Sequence, residues 1–193
     1  MAAERTPRIP PGGRRQLGLL NAGIARIASI ASGGGPVNIF TTLGRHRGLF
    51  RRWLVFAGGL MPGGKLPRSE TELLILRTAH NTGSDYEWGH HERIGQAAGL
   101  TAEEVQRVRE GPEAEGWTER QRLLLRAADE LHADGRIGDE TWAGLAGTYD
   151  DRLLIEICML VGHYEMVAMT LNSLGVQPEP PAQGRKLRWL SKD

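Results

Sequence analysis

The sequence has a single cysteine, Cys158, among its 193 residues. One cysteine cannot form a disulfide within the chain, and it cannot supply the pair of thiols that dithiol redox chemistry needs. A protein without internal disulfides suits a reducing compartment. The first sixteen residues are polar and basic and contain no apolar run, so we predict no signal peptide and a cytoplasmic location.

Long apolar runs and a large net charge are also lacking. The longest apolar stretch, residues 155–161, is interrupted by Glu156 and is shorter than a bilayer requires. The net charge is only +1, which gives no strong attraction for nucleic acid. We therefore predict neither a membrane nor a nucleic acid as a partner.

Alternating apolar and polar residues, the mark of a half-buried strand, are missing as well. Apolar residues instead recur at intervals of three and four, as in the stripe that includes Leu160, Tyr164 and Val167. The sequence therefore predicts an all-α domain of eight or nine helices, with residues 84–99 as one helix. We divide the chain into a flexible basic arm (1–16), a helical domain (17–176) and a tail (177–193).

Several predicted helices begin with a Ser or Thr followed three residues later by Glu or Gln. This spacing is typical of a capping box, in which the two side chains bond the free backbone groups of the first turn. Asp139 is a further candidate cap. The four candidate boxes are Ser69 with Glu72, Ser84 with Glu87, Thr101 with Glu104, and Thr118 with Gln121.

Residues 84–91 place a phenol, a carboxylate and two imidazoles in about one and a half turns of helix. Glu87 and His91 are four residues apart and so share a face. A carboxylate beside an imidazole is suited to moving protons near neutral pH. Tyr86 could donate a hydrogen bond to a developing oxyanion or enolate, although it also fits an ordinary packing role, and we assign His90 a structural or interfacial one.

The positions of Glu72, Ser84, Glu87 and His91 resemble the signature of the carboxymuconolactone decarboxylase and alkyl hydroperoxidase D family. In the peroxidase branch, a glutamate is followed after eleven residues by Cys-x-x-Cys and then by a histidine. Ser84 and Glu87 occupy the two cysteine positions here, whereas the decarboxylase branch lacks that pair and carries Glu-x-x-x-His. The segments Gly99-Leu100-Thr101-Ala102-Glu103-Glu104-Val105 and Phe40-x-x-Leu43-x-x-His46-x-x-Leu49-Phe50-x-x-Trp53 also resemble the family.

The resemblance covers about residues 37–176 and implies a helical bundle that assembles as a trimer or hexamer. It implies catalytic roles for Glu72, Tyr86, Glu87 and His91. Glu72 and Glu87 also fit a purely capping role, so both interpretations stay open. We expect one of these carboxylates within about 2.6–3.2 Å of the His91 ring, with His91 in an exposed cleft.

We predict no metal and no cofactor. The nearby histidines and glutamates are acceptable ligands for zinc or iron. However, His90 and His91 are adjacent on a helix and point about 100° apart. His163 is a further candidate pocket residue, because methionines flank its polar stripe.

The leading functional hypothesis is a non-redox acid–base enzyme that acts on a small organic acid or lactone. It would carry out decarboxylation or a related lyase or isomerase step. A peroxide-reducing enzyme is the first alternative, although Cys158 alone would need an external thiol. The second alternative is a non-catalytic ligand-binding or assembly protein with the same fold, which would be favoured if Glu72 and His91 pointed apart.

Overall fold

The computed structural model describes residues 6–31 and 37–179. Residues 1–5 of the predicted arm and 180–193 of the predicted tail lie outside this range. Within the described residues the chain forms nine α-helices and no β-strand, which confirms the predicted all-α fold class. The helices are α1 (Arg14–Ala31), α2 (Asn38–Leu43), α3 (Arg47–Leu60), α4 (Arg68–Asn81), α5 (Asp85–Ala97), α6 (Ala102–Arg107), α7 (Glu119–Asp134), α8 (Asp139–Ala146) and α9 (Asp151–Leu174).

The described residues fall into two compact units, of which the first comprises 6–31, 37–59 and 171–179. Helix α1 is kinked at Gly18, whose φ of 74° is a conformation that glycine adopts readily. The Asn21 side chain donates a hydrogen bond of 3.0 Å to the Gly44 carbonyl. These features fix α1 against the chain that follows α2.

The second unit, residues 60–170, contains the main core and all four candidate catalytic residues. Helix α4 lies at its centre and packs on α5 and α7. Leu74 and Leu76 of α4 and Leu124 and Leu125 of α7 are completely buried. Since α4 is buried for most of its length, a polar side chain on its inner face must find a partner inside the fold.

A three-residue link (82–84) joins α4 to α5, so the two helices lie side by side. Gly83 adopts a φ of +61° in this link, a conformation that glycine tolerates well. Further along α5, a Cβ at Gly95 would lie 3.5 Å from the Cβ of Glu72. The small residue therefore allows α5 to approach α4 closely at the turn that carries Glu72.

Helix α9 completes the second unit and supplies Ile157, Leu160, Val161 and Tyr164 to its core. Its length and composition alone would allow a membrane span, with 44% of the most apolar window buried inside the fold. The core helix of a soluble protein meets the same criterion, so the observation is weak evidence for a membrane.

The capping predictions divide into two groups. The boxes at Thr101 and Thr118 are confirmed, since the side-chain and backbone bonds of both are formed. The box at Ser69 is wrong, because α4 begins at Arg68 and its N-cap is Pro67, two residues before Ser69. The cap at Asp139 is also wrong: the N-cap is Gly138, and Asp139 is the first helical residue.

Candidate functional site

Glu72 and His91 form a buried hydrogen-bonded pair. His91 Nδ1 lies 2.6 Å from Glu72 Oε2, which confirms the predicted distance. The Glu72 side chain is 0% exposed and His91 is 7% exposed. The expectation that His91 lies in an exposed cleft is therefore wrong, because Tyr164 of α9 packs against the ring.

Arg68 approaches the second oxygen of Glu72. Its Nε lies 3.1 Å from Glu72 Oε1, one helical turn away. The contact is an ion pair without the alignment of a good hydrogen bond, since Oε1 makes none with the described residues. A guanidinium on one oxygen and an imidazole N–H on the other are the partners that stabilise an ionised carboxylate.

Glu87 lies one turn before His91 on α5 and has a different environment. It is 3% exposed, and neither carboxyl oxygen makes a well-formed hydrogen bond with the described residues. Burial is the main cause that raises the pKa of Glu87 to about 8; the nearby Ser84 hydroxyl lowers this pKa and the charge of Glu165 raises it. Glu87 is therefore mostly protonated at pH 7 and can donate a hydrogen bond.

Tyr164 of α9 packs edge-on against the His91 ring, with ring centroids 5.1 Å apart. Burial, followed by the charges of Glu72 and Glu87, raises the pKa of Tyr164 well above its ordinary value of 10.0. Its hydroxyl donates to the Sδ of Met61 at 3.6 Å, which is a weak acceptor. The phenol thus remains protonated beside the Glu72–His91 pair.

His163 precedes Tyr164 on α9, is buried, and has its ring edge-on to that of Tyr164, with centroids 5.3 Å apart. Burial lowers the pKa of His163 to about 4, so its imidazole is neutral at physiological pH. We define the acid–base cluster as Arg68, Glu72, Glu87, His91, His163 and Tyr164.

Tyr86 is buried, and its ring lies against His90 with centroids 4.7 Å apart. The predicted role of Tyr86 as an oxyanion donor stays a prediction. Tyr164 and Arg68 were missed by the sequence reasoning. The i,i+4 spacing of Arg68 and Glu72 was a usable signal, whereas the position of Tyr164 in an apolar stripe gave none.

The alternative that Glu72 and Glu87 serve only as helix caps is not what the structure shows. Glu72 bonds to His91. Ser84 is the N-cap residue of α5, but its side chain makes no capping bond. Neither carboxyl group is therefore used as a backbone cap.

The remaining candidate chemistries have little support in the described part of the chain. No group of three or more His, Cys, Asp or Glu side chains is placed there to hold a metal ion. Cys158 is partly buried on α9, and burial raises the pKa of its thiol. A raised pKa reduces the thiolate fraction that a reactive cysteine needs.

The fold and this cluster define a class: an all-α protein with a buried acid–base centre built by α4, α5 and α9. Residues 47–130 match the model of the carboxymuconolactone decarboxylase family. This match covers 84 of the 193 residues, and within it Ser84 and Glu87 stand where the redox branch of the alkyl hydroperoxidase D-like proteins has its Cys-x-x-Cys pair. No curated protein matches the sequence.

Several solved structures share the fold. An uncharacterized peroxidase-related protein with an alkylhydroperoxidase AhpD core, from Ralstonia eutropha JMP134, is 18% identical, with a TM-score of 0.81 over 95% of this chain and 100% of its own. A peroxidase-related protein from Silicibacter sp. TM1040 is 14% identical, with a TM-score of 0.79 over 94% and 98%. The debrominase Bmp8, in complex with 2,3,4-tribromopyrrole, is 16% identical, with a TM-score of 0.75 over 95% and 97%.

Proposed function

We propose that this protein is a non-redox acid–base enzyme that acts on a small organic acid or lactone. The reaction is a decarboxylation or a related lyase or isomerase step. The observation that carries the proposal is the buried Glu72–His91 hydrogen bond of 2.6 Å, which lies beside a second, protonated carboxyl group.

In this proposal His91 is the group that transfers the proton at carbon. The Glu72 carboxylate accepts a hydrogen bond from His91 Nδ1–H, and we assign the ring tautomer on that basis. Nε2 then keeps its lone pair and can take a proton from a carbon next to a carbonyl group, or return one to it. Glu72 would stabilise the imidazolium that forms, as a carboxylate does behind a catalytic histidine.

Glu87 would serve as the acid of the site. When the carbon–carboxyl bond breaks, carbon dioxide leaves and the bonding electron pair stays on the remaining fragment as an enolate whose oxygen becomes negative. The carbon then takes a proton from the imidazolium form of His91, which regains it from water. A neutral carboxyl group can donate a hydrogen bond to that oxygen in a site that excludes water. Tyr164 and Tyr86 are the two phenols that could share this role, and the first is the one in contact with His91.

A peroxide-reducing function is less well supported. The structural neighbours include peroxidase-related proteins, but their identity to this chain is too low to transfer an activity. Ser84 and Glu87 occupy the positions at which the redox branch has its two cysteines, so the disulfide of that mechanism cannot form here. The non-catalytic alternative called for Glu72 and His91 to point apart, whereas they contact each other.

We further propose that the protein works in the cytoplasm as a homo-oligomer, a trimer or hexamer. Exposed apolar residues on α9 support self-association, namely Ile155, Met159 and Met166. Burial of such side chains by a second copy is favourable, at about 25 cal/mol for each Å² removed from water.

The function is tested with a panel of carboxylated lactones and 3-oxo acids in deuterated water, monitored by proton NMR. We expect loss of carbon dioxide, or isomerisation, with deuterium incorporated at the reacting carbon. His91→Ala should lower the rate by about 100-fold or more, since a positioned general base contributes at least that much. His91→Asn, whose amide N–H lies near the position of Nδ1 and can still donate to Glu72, separates a catalytic loss from a folding defect.

His80→Ala is the matched control, because His80 is an exposed histidine at the end of α4. It should retain the wild-type rate, and circular dichroism should show the same helix content in all variants. Full activity in His91→Ala, or no turnover of any compound by the wild type, would contradict the proposal.

A further inference from the structure

The connection between α3 and α4, residues 61–67, contacts the acid–base cluster at its first end and leads directly into it at the other. At the first end, Met61 Sδ accepts the hydrogen bond of the Tyr164 hydroxyl at 3.6 Å, and its side chain packs on the core of the second unit. At the other end, Arg68 follows directly and pairs with Glu72 at 3.1 Å. The position of this connection therefore affects two members of the cluster.

The middle of the connection is held by one side chain of α9, Glu156. The Lys65 N–H donates to Glu156 Oε1 at 2.9 Å and to Oε2 at 2.8 Å. The Leu66 N–H donates to Oε1 at 3.0 Å. Bonds from backbone N–H groups to a carboxylate are about twice as strong as bonds between neutral groups, so this side chain is the polar tether of an otherwise irregular segment, beside the buried Leu66 side chain.

Gly64 is required for this contact. A Cβ at position 64 would collide with Glu156 Oε1 and would lie 2.5 Å from the Leu60 carbonyl oxygen. The carbonyl belongs to the helix backbone and cannot move aside cheaply. The glycine therefore gives the Glu156 carboxylate its close approach to the backbone of the connection.

We propose that residues 61–66 form a cover over the Tyr164 side of the cluster, and that Glu156 is the positioning residue that holds this cover closed. The inference rests on the proposed function only in taking the cluster as the substrate site. Glu156 fixes the backbone of Lys65 and Leu66, and this places Met61 on the Tyr164 hydroxyl. When the Glu156 contact is lost, the cover moves away and the buried phenol becomes accessible.

The test compares Glu156→Gln with Arg152→Gln, an exposed residue on the same helix. Two quantities are measured without any substrate: amide hydrogen exchange of Lys65 and Leu66, and nitration of Tyr164 by tetranitromethane, mapped by mass spectrometry. We expect Glu156→Gln to speed both amides by about tenfold or more, because the amide side chain cannot supply three charge-assisted bonds. Nitration of Tyr164 should rise several-fold, and Arg152→Gln should change neither quantity.

Met61→Ala tests the contact of the cover with Tyr164 independently of its contact with Glu156. It should increase nitration of Tyr164 while leaving exchange at Lys65 and Leu66 as in the wild type. If Glu156→Gln speeds exchange but leaves Tyr164 protected, Glu156 is only a local brace and the proposal is overturned. Unchanged exchange would overturn it equally.

Gly64→Ala provides a second route to the same readouts, should Glu156→Gln fail to fold by circular dichroism. It forces the connection away from both the Leu60 carbonyl and the Glu156 carboxylate, and it should give the same increases at Lys65, Leu66 and Tyr164. Protection at all three positions in folded Gly64→Ala would count against the proposal. Because no substrate is involved, these results are independent of whether the decarboxylase assay succeeds.

Discussion

Replacing Glu87 by Gln should change how the stability of the protein depends on pH. In the folded state burial raises the pKa of Glu87 from 4.5 to about 8. The unfolded chain releases this proton at the lower value, so between the two values the folded state binds more protons. The contribution to stability is then fully present below pH 4.5 and is lost as the pH rises toward 8.

The magnitude follows from the same two values. Each pH unit within the window removes about 1.4 kcal/mol from the free energy of unfolding, so the whole window from 4.5 to about 8 removes about 5 kcal/mol. Gln has the shape of the protonated acid and does not titrate. Glu87→Gln should therefore match the wild type near pH 4.5, exceed its stability by about 3 kcal/mol at pH 7, and by about 4 kcal/mol at pH 8.

The assay is urea unfolding followed by circular dichroism at pH 5, 6, 7 and 8, with the protein concentration held constant. The difference in free energy of unfolding between Glu87→Gln and the wild type reports the titration of Glu87, because the other titrating groups are common to both proteins. Glu110→Gln is the control for the loss of one carboxylate, because Glu110 is exposed on the surface.

If the difference in free energy of unfolding between Glu87→Gln and the wild type is the same at every pH from 5 to 8, the reasoning is refuted. Such a result would mean that Glu87 is already ionised across that range. A difference of opposite sign, with the variant losing stability relative to the wild type as the pH rises, would show that Glu87 has a cationic partner in solution. In either case Glu87 could not serve as the acid of the proposed mechanism.

Two further predictions concern redox chemistry and assembly. Cys158→Ser should leave any activity near the wild-type level, and no peroxidase turnover should depend on this residue, because burial raises the pKa of its thiol. Loss of most activity in a variant with an unchanged circular dichroism spectrum would contradict this prediction. Light scattering in dilute solution should give a mass above the 21.2 kDa of one chain, since Ile155, Met159 and Met166 are exposed on α9; a single species of monomer mass would refute self-association.

The contact between Glu72 and His91 could be predicted because it depends on local spacing. The link between α4 and α5 is too short to let the helices separate, so residues on their facing sides must meet. The burial of His91 could not be predicted in the same way. It depends on Tyr164 of α9, which reaches the ring from more than seventy positions later in the chain.

The role of Tyr164 was hidden because its spacing is that of an ordinary core residue. It lies in the same stripe as Leu160 and Val167, and all three are buried as that pattern predicts. Only the packing of α9 on α5 brings the hydroxyl-bearing ring to His91. A sequence pattern shows which side of a helix is buried, but it does not show which helix lies opposite.

The mistaken capping box at Ser69 has a physical reason that also explains the site. Glu72 and Glu87 stand in the same local context as Glu104, three residues after a Ser or Thr, yet only Glu104 bonds the backbone of its own helix end. Glu104 lies near the surface, where a cap costs little. The inner face of α4 is buried, so a carboxylate there gains more from the charged partner and the ring N–H that the fold offers.

The two buried carboxyl groups differ because their partners differ. Arg68 and His91 stabilise negative charge on Glu72, whereas burial without a well-formed bond raises the pKa of Glu87 to about 8. Two carboxyl groups in one site, one with a guanidinium and a ring N–H as partners and the other without them, are the arrangement from which a base and an acid can be assigned. Ionisation of Glu87 would be favoured by a cation beside it. The charged group that acts on it is instead Glu165, whose negative charge raises the pKa of Glu87. The side of the cluster with Glu72 and His91 is therefore the one that can accept a proton, and the side with Glu87 is the one that can donate a hydrogen bond.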